Sequence, residues 1–379
     1  MASSDLGAAL ARRHDRLRAA LRAASLDALV INPGPTLAYL TGLHFHLSER
    51  PVLAFFPVDG PPVMVVPELE SQKTNAATFE LSVHTYPERP TLWQAAFDAG
   101  VAQAGVQSAR IGVEPRWLRF LELSHLQVAA PAAVLSADGE SAVAALRMYK
   151  DDVEVASMRK ATEIAQKALG ATLATMRSGI TERETSAELI QHLLRLGSAG
   201  ELPFQPIIAF GPNSANPHAV PTDRKLQHGD LVLFDWGANW QGYFSDLTRT
   251  FSYGPMNPEL LTIARLVEEA NAAGRAVSAP GLEAGAVDRA TRAVIVAGGY
   301  GEQFFHRTGH GLGIEIHEEP YIRGDNEQIL RPGMTFTIEP GIYLAGKGGV
   351  RIEDDMLVTE SGAESLSDLP RSVVPLGID

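Results

Sequence analysis

Two segments of this chain read as strand, turn and strand, and both carry acidic residues where a strand tolerates them poorly. Residues 230–251 read DLVLFDWGANWQGYFSDLTRTF. LVLF is an apolar strand, Asn239–Gly242 supplies a turn, and the chain extends again from Tyr243. Around that turn Asp235 and Asp246 are equidistant from the centre and are expected to face each other. Like charges directly opposite destabilise a strand pair, and Asp is a poor strand former. A cation or a shared proton has to offset the repulsion. Residues 335–359, TFTIEPGIYLAGKGGVRIEDDMLVT, repeat the arrangement. Alternation puts Thr335, Thr337 and Glu339 on one face, with Phe336 and Ile338 on the other. On the return strand Arg351 and Glu353 share a face. Around a turn at Ala345–Gly349, Glu339 and Glu353 again fall opposite each other, with Arg351 as a nearby counter-charge.

A histidine joins these acids. In FFHRTGHGLGIEIHEEP (304–320), His310 sits between Gly309 and Gly311, where the backbone can approach another group closely. Four carboxylates and one imidazole form an oxygen-rich set with one nitrogen. Such a set suits two bridged divalent ions, Mn²⁺, Co²⁺ or Zn²⁺ rather than Ca²⁺. The chain contains no cysteine. That excludes disulfides, thiol catalysis and iron–sulfur clusters, and leaves carboxylate and imidazole to hold any metal. Asp plus Glu number 45 against 32 Lys plus Arg, a net charge of −13. A general nucleic-acid binder would show the opposite balance.

The remaining pattern predicts an α/β (α+β) chain of two domains. A helix over about 6–24 leads to a buried strand at 27–31; further strands are expected at 51–56, 63–66 and 110–114, with helical patterns at 68–77 and 91–104. The small, turn-rich stretch near 129–140 suggests a linker, giving a first domain at 1–130, a linker at 131–150 and a second domain at 151–379. In the second, long helical patterns cover 151–177, 182–196, 258–278 and 283–298, and Thr181 with Glu184 reads as a capping box. The Arg-rich start lacks the apolar core of a signal peptide, and no run of 18 apolar residues occurs. The expectation is a cytoplasmic protein with no membrane or nucleic-acid partner.

Three motifs fail on context. Gly341–Lys347 matches the start of a phosphate-binding loop, but Gly348 follows where Ser or Thr is needed and the segment reads as a hairpin. Gly309–Gly313 lacks the last spacing of a dinucleotide turn. His317–Tyr321 begins like a zinc-protease helix, but Pro320 breaks it and Tyr321 replaces the second His.

Taken in order, His218, Asp235, Asp246, HRTGHGLG (306–313), HEEP from His317, TIEPGIY around Glu339 and GVRIEDD around Glu353 resemble the pita-bread metallopeptidases. This is the family of Xaa-Pro dipeptidase (prolidase), aminopeptidase P and methionine aminopeptidase. The five candidate ligands are separated by 10, 63, 28 and 13 residues. The resemblance covers about 150–365, and the first part of the chain is similar to the creatinase/prolidase N-terminal domain.

The resemblance implies a C-terminal pita-bread catalytic domain with two divalent metal ions per subunit, Mn²⁺ first among the candidates. It implies that Asp235 binds one ion, that Asp246 and Glu353 bridge both, and that His310 and Glu339 hold the second. His218 and His317 would act on the scissile carbonyl, and Glu339 would shuttle the proton. His306 would line the substrate pocket and Arg351 would partner the bridging carboxylates. The implied reaction is hydrolysis of the Xaa-Pro bond of a small peptide by a hydroxide that the two ions share. A homodimer is implied as well. A dipeptidase also needs a cation for the substrate's free carboxylate; Arg323 and the loop His44–Arg50 are the candidates. Xaa-Pro aminopeptidase activity on longer peptides, a metal-free creatinase-like hydrolase and a non-catalytic relative are the alternatives.

Overall fold

The computed structural model describes residues 3–378, with side chains from Leu6 onward. The chain divides into two compact units after Arg147.

The first unit is built on a six-stranded sheet of β1 (Ala28–Ile31), β2 (Leu53–Pro57), β3 (Val63–Pro67), β4 (Ser82–Tyr86), β5 (Arg110–Val113) and β6 (Val134–Ser136), in the order β4-β3-β2-β1-β5-β6. Its helices are α1 (Ser3–Ala23), α2 (Pro35–Thr41), α3 (Trp93–Ala104), α4 (Phe120–Ala129) and α5 (Asp138–Arg147). β1, β2 and β3 are buried along their whole length. They are therefore apolar runs rather than alternating strands, as a sheet covered on both faces requires. Phe97, Val101 and Leu126 of α3 and α4 pack on Val30, Phe55 and Val65.

The expected linker at 131–150 is not one. It supplies the edge strand β6 and then α5, whose Ala142, Val143 and Leu146 are buried. The small residues that suggested a linker serve close packing instead: a Cβ on Gly139 would lie 2.4 Å from the amide nitrogen of Val113. The first unit therefore runs well past residue 130.

In the second unit, strands lie inside and helices outside. The helices are α6 (Asp152–Leu173), α7 (Glu182–Arg195), α8 (Pro258–Val277) and α9 (Ala284–Ala297). Thr181 and Glu184 form the expected capping box on α7, and Asp151 with Glu154 forms another on α6. The strands are β7 (Ile207–Phe210), β8 (Leu231–Trp236), β9 (Asn239–Trp240), β10 (Tyr243–Phe244), β11 (Leu247–Ser252), β12 (Gly309–Gly311), β13 (Glu318–Ile322), β14 (Thr335–Ile338), β15 (Gly341–Leu344), β16 (Gly348–Arg351), β17 (Asp354–Thr359), β18 (Gly362–Ser365) and β19 (Val374–Pro375). Two larger sheets result, β19-β11-β8-β7 and β13-β12-β14-β17-β18, with the hairpin β15-β16 beside them. Ala161, Ile164 and Ala168 of α6 and Leu189 of α7 cover the first sheet at Phe210, Val232 and Phe234. Val287 of α9 packs with Phe336 and Ile338, and Ile263 and Val267 of α8 with Ile342 and Val350. Each fully buried aliphatic side chain of this kind contributes about 1.5–3 kcal/mol.

The two sheets are joined beside the acids. The Glu353 amide donates to the Thr248 carbonyl at 3.1 Å. One residue along each strand, Arg249 Nη2 donates to Asp354 Oδ1 at 2.7 Å, and both side chains are buried. Asp354 also accepts from Arg371 Nε at 2.7 Å and Ser367 Oγ at 2.5 Å. Burial alone would raise its pKa. Arg249 and Arg371 outweigh that and bring the carboxyl down to about 2. This ionised cluster fixes the two acid-bearing hairpins to each other.

Candidate metal centre

The first hairpin has a different register from the one expected. β8 and β11 pair Asp235 with Thr248 and Trp236 with Leu247. The ladder continues through Trp240 and Tyr243 to a two-residue turn at Gln241–Gly242, whose φ angles are 54° and 84°. Both central residues have positive φ, the mirror-image turn that matches strand twist. The turn centre therefore lies one residue position later than a turn spread over Asn239–Gly242 would put it. Asp235 and Asp246 become diagonal neighbours on one face rather than a directly opposed pair. That arrangement reduces their repulsion while both still reach the same space.

The second hairpin keeps the expected register. Ile338 pairs with Asp354 and Gly341 with Arg351, so Glu339 and Glu353 fall opposite each other between them. His310 arrives on β12, which lies between β13 and β14. The flanking glycines are what let this strand in. A Cβ on Gly309 would meet the Thr337 carbonyl oxygen at 1.8 Å, and one on Gly311 the Glu319 oxygen at 2.3 Å.

These elements bring Asp235, Asp246, His310, Glu339 and Glu353 to one cavity of about 1050 Å³, with His218, His306, His317 and Arg351 also in its wall. His310 Nε2 lies 3.6 Å from Asp246 Oδ2 and 3.5 Å from Glu339 Oε1. Asp246, His310 and Glu353 present donor atoms all within 4.8 Å of one another. Arg351 pairs with Asp235, donates through Nη1 to the Tyr343 hydroxyl at 3.0 Å and through Nε to Thr248 Oγ1 at 3.2 Å. Thr248 Oγ1 in turn donates to Glu353 Oε2 at 2.7 Å. The His306 Nε2 lies 3.0 Å from the Tyr343 hydroxyl.

Arg323 is not brought to this site. It falls in the turn after β13, is 60% exposed and pairs with Asp325 at 3.1 Å. In the first unit Arg50 of the His44–Arg50 loop binds both oxygens of Glu88, at 3.1 and 3.1 Å through Nε.

The electrostatics of the cavity are unfavourable without a further cation. Burial and neighbouring carboxylates push Asp246 and Glu353 well above the usual carboxyl range. Burial raises Asp235 too, against the pull of Arg351. Glu339 is pushed up to about 8, by burial first, with Arg351 pulling down and Asp235 pushing up. Burial lowers His310 well below its usual value and takes His317 and His306 to about 4, so these imidazoles are neutral at pH 7.

The donor set fits divalent metal ions. It is all carboxylate and imidazole, it is buried, and a guanidinium already committed to Asp235 does not balance four acids. Neutral imidazole and ionised carboxylate are the forms that bind metal. One prediction follows for the stripped protein. Glu339 rises from 4.5 in a free side chain to about 8 here, so the folded form holds a proton that the unfolded chain releases. Its stabilising share is fully present below the lower value and is lost as pH climbs through the higher one. Below about 6.5 the lowered His306, His310 and His317 act in the opposite sense, so the melting temperature of chelator-treated protein should fall as pH climbs from about 6.5 to about 8, and saturating divalent metal should flatten the fall.

Sequence reasoning missed four contributors. Thr248 becomes visible once Gln241–Gly242 is recognised as the turn, because it stands opposite Asp235. Asp355 accepts from the Asp246 amide at 3.1 Å, and was hidden behind the neighbouring acids of the same run. Tyr343 and Arg307 also line the cavity; both stand inside the motifs TIEPGIY and HRTGHGLG, but nothing in the local pattern gives either of them a role.

Comparison with known proteins agrees with this architecture. Residues 13–149 match the Creatinase/Prolidase N-terminal domain and residues 156–360 match Metallopeptidase family M24. The structure of a dipeptidase from Pyrococcus horikoshii OT3 is similar at a TM-score of 0.90 and 36% identity, covering 96% of this chain and 100% of that one. Dipeptidase PepE from Mycobacterium ulcerans gives 0.89 and 34%, covering 98% of each chain. An Xaa-Pro dipeptidase from Bacillus anthracis gives 0.87 and 32%, covering 97% and 100%. With four acids on two joined hairpins, His310 brought to them on β12 and a family match over more than half its length, this chain belongs to metallopeptidase family M24.

Proposed function

We propose that this protein is a dipeptidase that hydrolyses Xaa-Pro bonds with two divalent ions, Mn²⁺ foremost, in the buried cavity. The observation that carries the reading is the convergence of four carboxylates and one imidazole on one cavity in which Arg351 is already paired with Asp235. The Xaa-Pro dipeptidase from Bacillus anthracis, similar over nearly the whole chain, supports the substrate class.

In this reading Asp235 would hold one ion, His310 and Glu339 would hold the other, and Asp246 and Glu353 would serve both. Bound there, the ions would supply Lewis-acid polarisation and a water that ionises near neutral pH. The residues of the chain do the rest. Arg351 and Thr248 orient Asp235 and Glu353 by hydrogen bonds, so that the carboxylates keep their directions. His317, lowered to about 4 by desolvation first and by Arg307, can donate one ring N–H to the scissile carbonyl oxygen, and His218 lines the same wall. The nitrogen of a prolyl bond carries no hydrogen and must gain one to leave. Glu339 takes the proton from the attacking water and returns it to that nitrogen.

The test is a pair of substrates sharing one Xaa-Pro bond, one a dipeptide and one extended by a third residue. The Mn²⁺-loaded protein should show the higher kcat/KM on the dipeptide. Preference for the extended peptide would make it an aminopeptidase, and cleavage of neither would overturn the Xaa-Pro reading.

A further inference from the structure

We propose that Asp288 and Arg292, which stand on α9 outside the cavity lining, are positioning residues. They clamp the main chain of residues 304–308 and so fix the stretch of cavity wall formed by His306 and Arg307. The effect on substrate rests on the Xaa-Pro reading above; the clamp itself does not.

Residues 304–308 run between a single helical turn at Gly301–Gln303 and β12, outside any strand or helix. Backbone groups in such a segment need partners from elsewhere. α9 supplies them. Asp288 and Arg292 are four residues apart on this helix, so their side chains share a face. Arg292 Nη1 donates to the Phe304 carbonyl and Nη2 to the His306 carbonyl, each at 2.8 Å. Its Nε and Nη2 also donate to the two Asp288 oxygens, at 3.0 and 2.9 Å. Its Cζ stands 4.2 Å from the centroid of the buried Phe304 ring. Asp288, itself buried, accepts from the Thr308 amide at 3.1 Å and from the Thr308 hydroxyl at 2.7 Å. One ion pair thus holds both ends of the segment. The planar fork of arginine can donate in several directions at once, whereas lysine offers a single nitrogen.

The two ends differ in what else holds them. The Thr308 amide also donates to the Ile322 carbonyl at 2.9 Å, and the Thr308 carbonyl accepts from the Glu339 amide at 2.8 Å. His310 follows on β12, between β13 and β14. The end that leads to the metal ligands therefore keeps its register without Arg292. The main chain from Phe304 to His306 has no strand to fall back on. On the cavity side the His306 ring reaches the Tyr343 hydroxyl at 3.0 Å, while the backbone behind it is held from α9. Loss of the clamp should displace His306 and Arg307 and spare the ligands.

Mn²⁺-loaded wild type, Arg292→Gln and Arg292→Lys are compared by hydrogen exchange, metal content and kinetics on one Xaa-Pro dipeptide. Arg292→Lys keeps a charge beside Asp288 but cannot also serve two carbonyls, so it tests the clamp even if Arg292→Gln fails to fold. In both variants exchange over 304–308, taken relative to exchange over α6, should rise about tenfold or more, the scale for losing hydrogen bonds to a charged group. KM should rise by about the same factor, with kcat and metal content nearly unchanged. An ion pair that only stabilised α9 would lower the melting temperature and leave both the exchange ratio and KM at wild-type values; that result overturns the clamp. A raised exchange ratio with unchanged KM overturns its effect on substrate. Wild type that cleaves no Xaa-Pro dipeptide overturns the functional reading alone, and the exchange ratio still decides the clamp.

Discussion

Glu339→Gln is expected to lower kcat on an Xaa-Pro dipeptide by about 100-fold or more, the scale set by loss of a positioned acid–base group. Gln keeps the size of the side chain and an oxygen that can still approach a metal. It loses the ability to accept a proton and pass it on. The effect should therefore fall on kcat, with KM and metal content changed far less. The surroundings support that assignment. Glu339 is half-buried, its amide is held by the Thr308 carbonyl at 2.8 Å, and in the metal-free site its carboxyl is pushed up to about 8, by desolvation first. The measurement is steady-state kinetics with saturating Mn²⁺, together with metal analysis of the same preparation. A rate near that of wild type, at full metal content, would remove Glu339 from the proton path.

Asp246→Ala should cost both metal and rate. Asp246 presents a donor atom within 4.8 Å of those of His310 and Glu353, so its loss removes an oxygen that two ions would share. Metal content should drop from two ions per chain to one or fewer. Turnover should fall about 1000-fold, since the Lewis-acid contribution is several kcal/mol and each 1.36 kcal/mol is tenfold. Stability gives an independent check. In the stripped protein Asp246 is pushed well above its ordinary range by burial and by Asp235, Asp355 and Glu339. Deleting it relieves repulsion, so metal-free Asp246→Ala should melt no lower than metal-free wild type. Full metal occupancy in the variant would contradict the shared role.

The same physics explains what could be read from the sequence. α6, α8 and α9 follow from their apolar periodicity, and each lies within a few residues of expectation. β1 and β3 are short apolar runs, and they too form where expected. β4 did not reveal itself, because an edge strand reading Ser-Val-His-Thr-Tyr is mostly half-buried and has no apolar run. α4 buries only Glu122 and Leu126, so its face is too narrow to stand out. In the site, acids in strands are conspicuous because they need compensation, and that made the two hairpins legible. The register of the first was not, because it depends on Gln241 adopting a positive φ that few non-glycine residues adopt. Arg323 looked suitable by proximity in sequence, yet the turn after β13 carries it to the surface. Arg307 and Tyr343 reach the cavity only through tertiary structure.

The most direct test of metal-dependent Xaa-Pro hydrolysis is the activity of stripped and reconstituted protein on one Xaa-Pro dipeptide. After chelation and removal of the chelator, hydrolysis should vanish, and titration with Mn²⁺ should restore it along a curve that ends near two ions per chain. Full activity in metal-free protein, or no hydrolysis at full occupancy, would contradict the assignment.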